Sequence, residues 1–194
     1  MIDIYTLLVI SHLFGAAIGF GAANFIEVFL NKALRDGVMD PTEKLFMSTT
    51  YTVLRVGLGI SLVTGLGFVV VYIVNDQMFR MTNPVFIAKM LIVGILVLNA
   101  VLLHLHKMKL WWGSTLSFMS WYFAFFLGTF LTHSIRFGFW EIMAAYVVFV
   151  VAGGYVLEAI RQRSRRQWLA THPQTPSTPP ASPPAPSTPP AQPK

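Results

Sequence analysis

Few side chains in this sequence can do chemistry, and nearly all of them lie inside long apolar runs. His12, Asn24 and Glu27 fall in the first run and Arg55 in the second. Lys89, Asn99 and His104 fall in the third, His133 closes the fourth, and Glu141 and Glu158 lie near the two ends of the fifth. A charge at the centre of a bilayer costs roughly 2.5–3.5 kcal/mol on insertion scales, so such residues pair with one another, hold a metal or cofactor, or mark a path for ions. Cysteine is absent, which excludes disulfides, thiolate metal sites and thiol redox chemistry. No nucleotide-binding glycine loop or Ser-His-Asp device is present, because the glycines lie within the apolar runs and not between a strand and a helix.

The spacing sorts these groups by depth. At about 1.5 Å per helical residue, His12 lies on the order of 15 Å below the start of its run and Lys89 about 8 Å below the start of its own. Both are measured from one side of the membrane, which His133 also approaches. An outer cluster of His12, Lys89 and His133 is therefore expected, with His12 and His133 as candidate metal ligands. Lysine can snorkel to the surface. Histidine is too short to do so, and His12 must bond to another helix, a metal or a cofactor. Gly15 and Gly19 follow His12 on the same helical face, and their i+4 spacing suits either close helix packing or a slot for a flat macrocycle. At the inner end, Glu27 and Arg55 reach similar depth on consecutive antiparallel helices, so the expectation is a structural ion pair. His104 and His106 are separated by two positions, which on a helix do not face each other.

The elements that must position these residues are helices. Of 194 residues 55% are hydrophobic and only 11% charged, too apolar for an ordinary soluble domain. Lipid offers no water to the backbone, so apolar runs of about 20 residues read as spanning helices. Five are expected, over Ile4 to Leu30, Val53 to Val74, Pro84 to Leu105, Leu116 to His133 and Trp140 to Ile160. The first has no Lys or Arg before it and is too long for a signal core, so it is read as retained. The fold class is an all-α membrane protein, a bundle of five transmembrane helices.

Orientation follows from charge. With the N-terminus outside and the C-terminus cytoplasmic, the inner segments carry Lys32, Arg35, Lys44, Lys107, Lys109, Arg161, Arg163, Arg165 and Arg166, whereas the outer loops carry Arg80 and Arg136. This obeys the positive-inside rule and accounts for the net charge of +6 without nucleic acid as a partner. Locally, Asp40-Pro41-Thr42-Glu43 supplies an N-cap, a first-turn proline and a capping-box acid, and Asn83-Pro84 opens the third helix. Trp111, Trp112 and Trp140 suit the interfacial aromatic belt. Residues 168–194 form a proline-rich tail in which Pro176 to Ala181 recurs as Pro186 to Ala191. Its composition favours an extended, disordered cytoplasmic segment after the domain of residues 1–167.

Three short segments carry a family likeness. His-Leu-Phe-Gly (His12 to Gly15) opens a glycine-rich first helix, Leu-Arg-Val-Gly leads to Val63-Thr64-Gly65 in the second, and Pro-Val-Phe-Ile-Ala-Lys-Met-Leu (Pro84 to Leu91) begins the third, with Asn99 further along. Over roughly the first 110 residues the chain resembles the superfamily that joins the copper-resistance protein D domain with the HemJ-type protoporphyrinogen oxidases of bacteria. The resemblance implies a small helical bundle in the cytoplasmic membrane, with haem b held by a histidine on the first helix and a lysine on the third. The matching positions are His12 and Lys89, with Gly15 and Gly19 beside the macrocycle. It further implies a haem-dependent oxidoreductase with a redox partner, besides membrane lipid and a second copy of the chain as partners. Two other functions are open: copper-ion transport, suggested by the same likeness and by nine methionines, and a non-catalytic membrane scaffold whose proline-rich tail recruits a partner.

Overall fold

The computed structural model describes residues 3–36, 39–132 and 137–172. They form five helices: α1 (Ile4–Asp36), α2 (Pro41–Val74), α3 (Pro84–His104), α4 (Leu110–Thr132) and α5 (Phe139–Thr171), with a single 3₁₀ turn at Met78–Arg80. All five are long and apolar enough to cross a membrane, and no strand occurs among the described residues. Their outward faces are large and apolar, with Phe14, Phe25, Val63 and Tyr155 exposed. In water such a belt would be an aggregation surface; in lipid it is the solvated face.

The helix starts obey local sequence. Asp40 Oδ1 accepts the Glu43 backbone N–H at 2.7 Å while Glu43 Oε2 reaches back to the Asp40 N–H at 3.4 Å, so the capping box forms with Pro41 at the first helical position. Asn83 Oδ1 accepts from the Val85 N–H at 2.9 Å beside Pro84. At the α1 start, Asp3 accepts from Thr6, which holds its carboxyl below the usual carboxylate range. Two helices end in left-handed residues other than glycine. Asp76 (φ 57°) follows α2 and His106 (φ 55°) follows α3. Each lies in a Schellman-type turn closed by Gln77 N–H to Tyr72 O and Lys107 N–H to Leu102 O.

The helices outrun the expected spans in four places, the first being α1, which runs to Asp36. α2 starts at Pro41 and α4 at Leu110, where Trp111 and Trp112 continue the helix. α5 runs to Thr171, so Trp168–Thr171 are helical, while residues 173–194 and His133 lie outside the described residues.

α4 is the hub. One buried cluster joins α1, α2 and α3 around Trp121, through Ala22, Ala23, Ile26, Leu54, Leu58 and Leu96. A second joins α3, α4 and α5 through Val85, Ala88, Ile92, Leu127, Ile142 and Tyr146. α1 and α2 meet almost backbone to backbone. A Cβ on Gly57 would lie 2.8 Å from Gly19 Cα, and one on Gly15 would lie 2.8 Å from Ser61 N. Small residues at i+4 steps permit this approach. α2 packs on α1, and α3 on α4 and α5, but α2 and α3 make next to no direct contact.

Candidate functional site: a cavity shared by His12 and Lys89

The separation of α2 from α3 leaves two cavities, the first floored by α1 and α4 and the second by α4. The one nearer the N-terminus of the chain measures about 460 Å³, within the range of small-molecule and cofactor sites. Its walls are mostly apolar and aromatic, with Phe20, Phe68, Phe86 and Phe125 among them, and both His12 and Lys89 line it.

His12 is held from behind. Its Nδ1 lies 3.0 Å from Ser61 O and 3.0 Å from Thr64 Oγ1. A carbonyl oxygen only accepts, and the Thr64 hydroxyl donates its own hydrogen to Ile60 O at 2.7 Å. The proton therefore belongs on Nδ1, and the neutral ring presents the lone pair of Nε2, which has no partner among the described residues. Phe68 stands edge-on to the imidazole at 5.6 Å between centroids and restricts its rotation. Gly65 leaves room beside the ring, since a Cβ there would come within 3.7 Å of its Cε1.

Lys89 enters from α3. Its Nζ reaches the α4 backbone at Gly128, where a Cβ would lie 3.4 Å away, and it makes no ion pair among the described residues. The two groups are close enough to sense each other's charge. Two further polar atoms on the cavity wall, Ser61 Oγ and Trp121 Nε1, are buried without a hydrogen-bond partner.

The sequence-expected residues thus divide. His12 and Lys89 come together, whereas Gly15 and Gly19 do not open a slot. Gly15 is spent on α2, and Gly19 lies under the Trp121 ring and against Gly57. The Glu27–Arg55 pair does not form. Glu27 instead pairs with Arg161 of α5, and Ser114 Oγ donates to its other oxygen at 2.6 Å. Arg161 Nη2 also donates to Thr115 Oγ1 at 3.1 Å, and its guanidinium lies 6.0 Å from the Trp111 ring centroid. The physical reason is enclosure: α1, α4 and α5 surround Glu27, whereas Arg55 is exposed on α2 and faces the second cavity. Arg161, which the sequence reading puts in the basic flank after the last span, is buried in the bundle, with Glu158 of the same helix 3.9 Å from its Nη1.

The second cavity, about 540 Å³, lies at the other end of the bundle and shares Leu58, Leu96 and Trp121 with the first. Both His104 and His106 border it. His104 is the last residue of α3, and His106 follows it in a left-handed conformation. Among the described residues no group of three or more His, Asp or Glu is placed to hold a metal ion. No family model matches the chain, and neither a curated protein nor a solved structure matches it.

Proposed function

We propose that this integral membrane protein binds haem b in the His12–Lys89 cavity, with His12 Nε2 as an axial ligand, and serves an electron-transfer or oxidase role. The observation that carries this reading is the Nδ1–H hydrogen bond to the Ser61 carbonyl. Ligating histidines are oriented in this way by their second nitrogen, which fixes the tautomer and raises ligand basicity. A site for haem needs only one or two such ligands, unlike a chelated ion, and the aromatic walls suit a flat apolar ring. Bound haem would supply one-electron exchange at iron.

The remaining work falls to the chain. Ser61 and Thr64 hold the imidazole, Phe68 restricts its rotation, and the apolar walls exclude water. Lys89 has two uses toward the same group. As a neutral amine it is a ligand from the facing helix; as an ammonium it neutralises a carboxylate. The resemblance in the first three helices favours an oxidoreductase of the protoporphyrinogen oxidase type. The basic asymmetry favours a bacterial cytoplasmic membrane with the N-terminus outside.

Copper transport draws less support. Met39, Met47 and Met108 do border the second cavity, but they share it with Lys44 and Arg55, whose charges repel a cation. A scaffold role would lie in the tail, and truncation after Arg166 separates it from haem binding. Titration of the purified full chain with haem tests the proposal. One equivalent bound by the wild type, with affinity at least 100-fold weaker in His12→Ala, is expected. Equal binding by the two, or none by either, would overturn it.

A further inference from the structure

Arg55 is the unexplained charge in this molecule. It stands in the middle of α2, eleven residues beyond Lys44, exposed and without an in-chain carboxylate among the described residues. Glu27, whose charge reaches the neighbouring Tyr51, is already held by Arg161. An arginine in a spanning helix needs an anion, and none of the described residues provides one.

The formal charges that border the second cavity, which Arg55 lines, are all basic among the described residues. Lys44, Arg55, His104 and His106 border it, and no Asp or Glu does. On its wall the Tyr51 hydroxyl is buried without a hydrogen-bond partner among the described residues. The rest is apolar, with Leu54, Leu58, Leu96 and Leu103. Cationic groups, a free donor and an apolar wall in one groove, on the side where α2 and α3 leave the bundle open, match an anionic amphiphile rather than a small soluble ion.

We infer that this groove is a binding site for an anionic phospholipid, whose phosphate is held by Arg55 with His104 and His106, whose headgroup extends toward Lys44 about 16 Å further along α2, and whose acyl chains lie along the α2–α3 opening. Arg55 contributes most, because a guanidinium binds phosphate oxygens through two parallel donors. The Tyr51 hydroxyl is the neutral donor to the same group. His106 adds a structural signature. Its left-handed backbone is one that glycine also adopts without strain, so the imidazole, which borders the cavity, can be removed without disturbing the turn. This inference does not depend on haem, since neither His12 nor Lys89 lines the groove.

The test is native mass spectrometry of the full chain, purified in detergent and incubated with dioleoylphosphatidylglycerol or dioleoylphosphatidylcholine. Retention of one phosphatidylglycerol, at least tenfold over phosphatidylcholine, is expected. Arg55→Gln should abolish that preference. His106→Gly should lower phosphatidylglycerol retention two- to threefold without lowering the unfolding temperature, which separates a ligand role from a folding role. Four results would overturn the inference: equal retention of the two lipids, undiminished retention in Arg55→Gln, displacement of the lipid by millimolar inorganic phosphate that binds in its place, or loss of bound haem in Arg55→Gln. The last would put the carboxylates of haem, and not a lipid phosphate, at the arginine.

Discussion

Two sets of polar groups in the bundle, Glu27 with Arg161 and His12 with Lys89, are held in opposite ways. At the end where the chain leaves α5, Glu27 and Arg161 answer each other, and Ser114 and Thr115 supply further hydrogen bonds from α4. Even there Arg161 is not fully satisfied, for its Nε and Nη1 lack hydrogen-bond acceptors and Nη1 stands 3.9 Å from Glu158. At the other end, His12 is fastened by one nitrogen only, and its second nitrogen and the Lys89 amine face a cavity. Leaving a buried polar group unpaired costs roughly 1–3 kcal/mol. A chain that fastens Glu27 to Arg161 and, among the described residues, leaves Lys89 without an ion pair beside a half-fastened His12 separates architecture from binding. The first set holds three helices together; the second is open to a ligand.

The largest expected effect breaks the first set. Glu27→Gln leaves Arg161 uncompensated inside the bundle and should cost about 3–5 kcal/mol of stability, measured by unfolding in detergent. The paired variant Glu27→Leu with Arg161→Leu should recover most of that loss, and a double-mutant cycle that came out additive would show that the two groups do not act as a pair. Next comes the α1–α2 seam. Gly57→Ala forces a methyl against the Gly19 backbone and should cost about 1–3 kcal/mol, whereas Gly59→Ala, where a Cβ meets nothing within 4 Å, should not destabilise.

Smaller effects sharpen the contrast at the ligand end. Thr64→Val removes one of the two acceptors behind His12 and should cost about 1 kcal/mol, while weakening haem binding more than tenfold through a loosened imidazole. Lys89→Met should change the stability of the ligand-free chain by less than about 1 kcal/mol, because no carboxylate among the described residues is left without its ion-pair partner. A loss as large as that of Glu27→Gln would mean that Lys89 belongs to the architecture after all.

How far the sequence carried these conclusions depended on distance along the chain. The Asp40–Glu43 box and the Asn83 cap were legible because their partners are three and two residues away. The five spans and the glycine seam were legible because lipid and close packing impose simple periods. Depth counting brought His12 and Lys89 to one level, and both line one cavity. Glu27 was assigned the wrong partner because depth alone does not choose among helices. Arg161 lies 134 positions away, and its rotation toward α1 depends on how α5 packs on α4. Ser61 and Thr64 were equally hidden, since a packing surface and the support behind a ligand use the same small polar residues.

The central claim is that the free nitrogen of His12 is kept for haem iron. Absorption spectra of the detergent-purified full chain, produced with haem supplementation and recorded oxidised and reduced, test it most directly. A Soret band that shifts on reduction in the wild type and is absent from folded His12→Ala is the predicted result. A colourless wild-type protein, or a Soret band unchanged in His12→Ala, would contradict it.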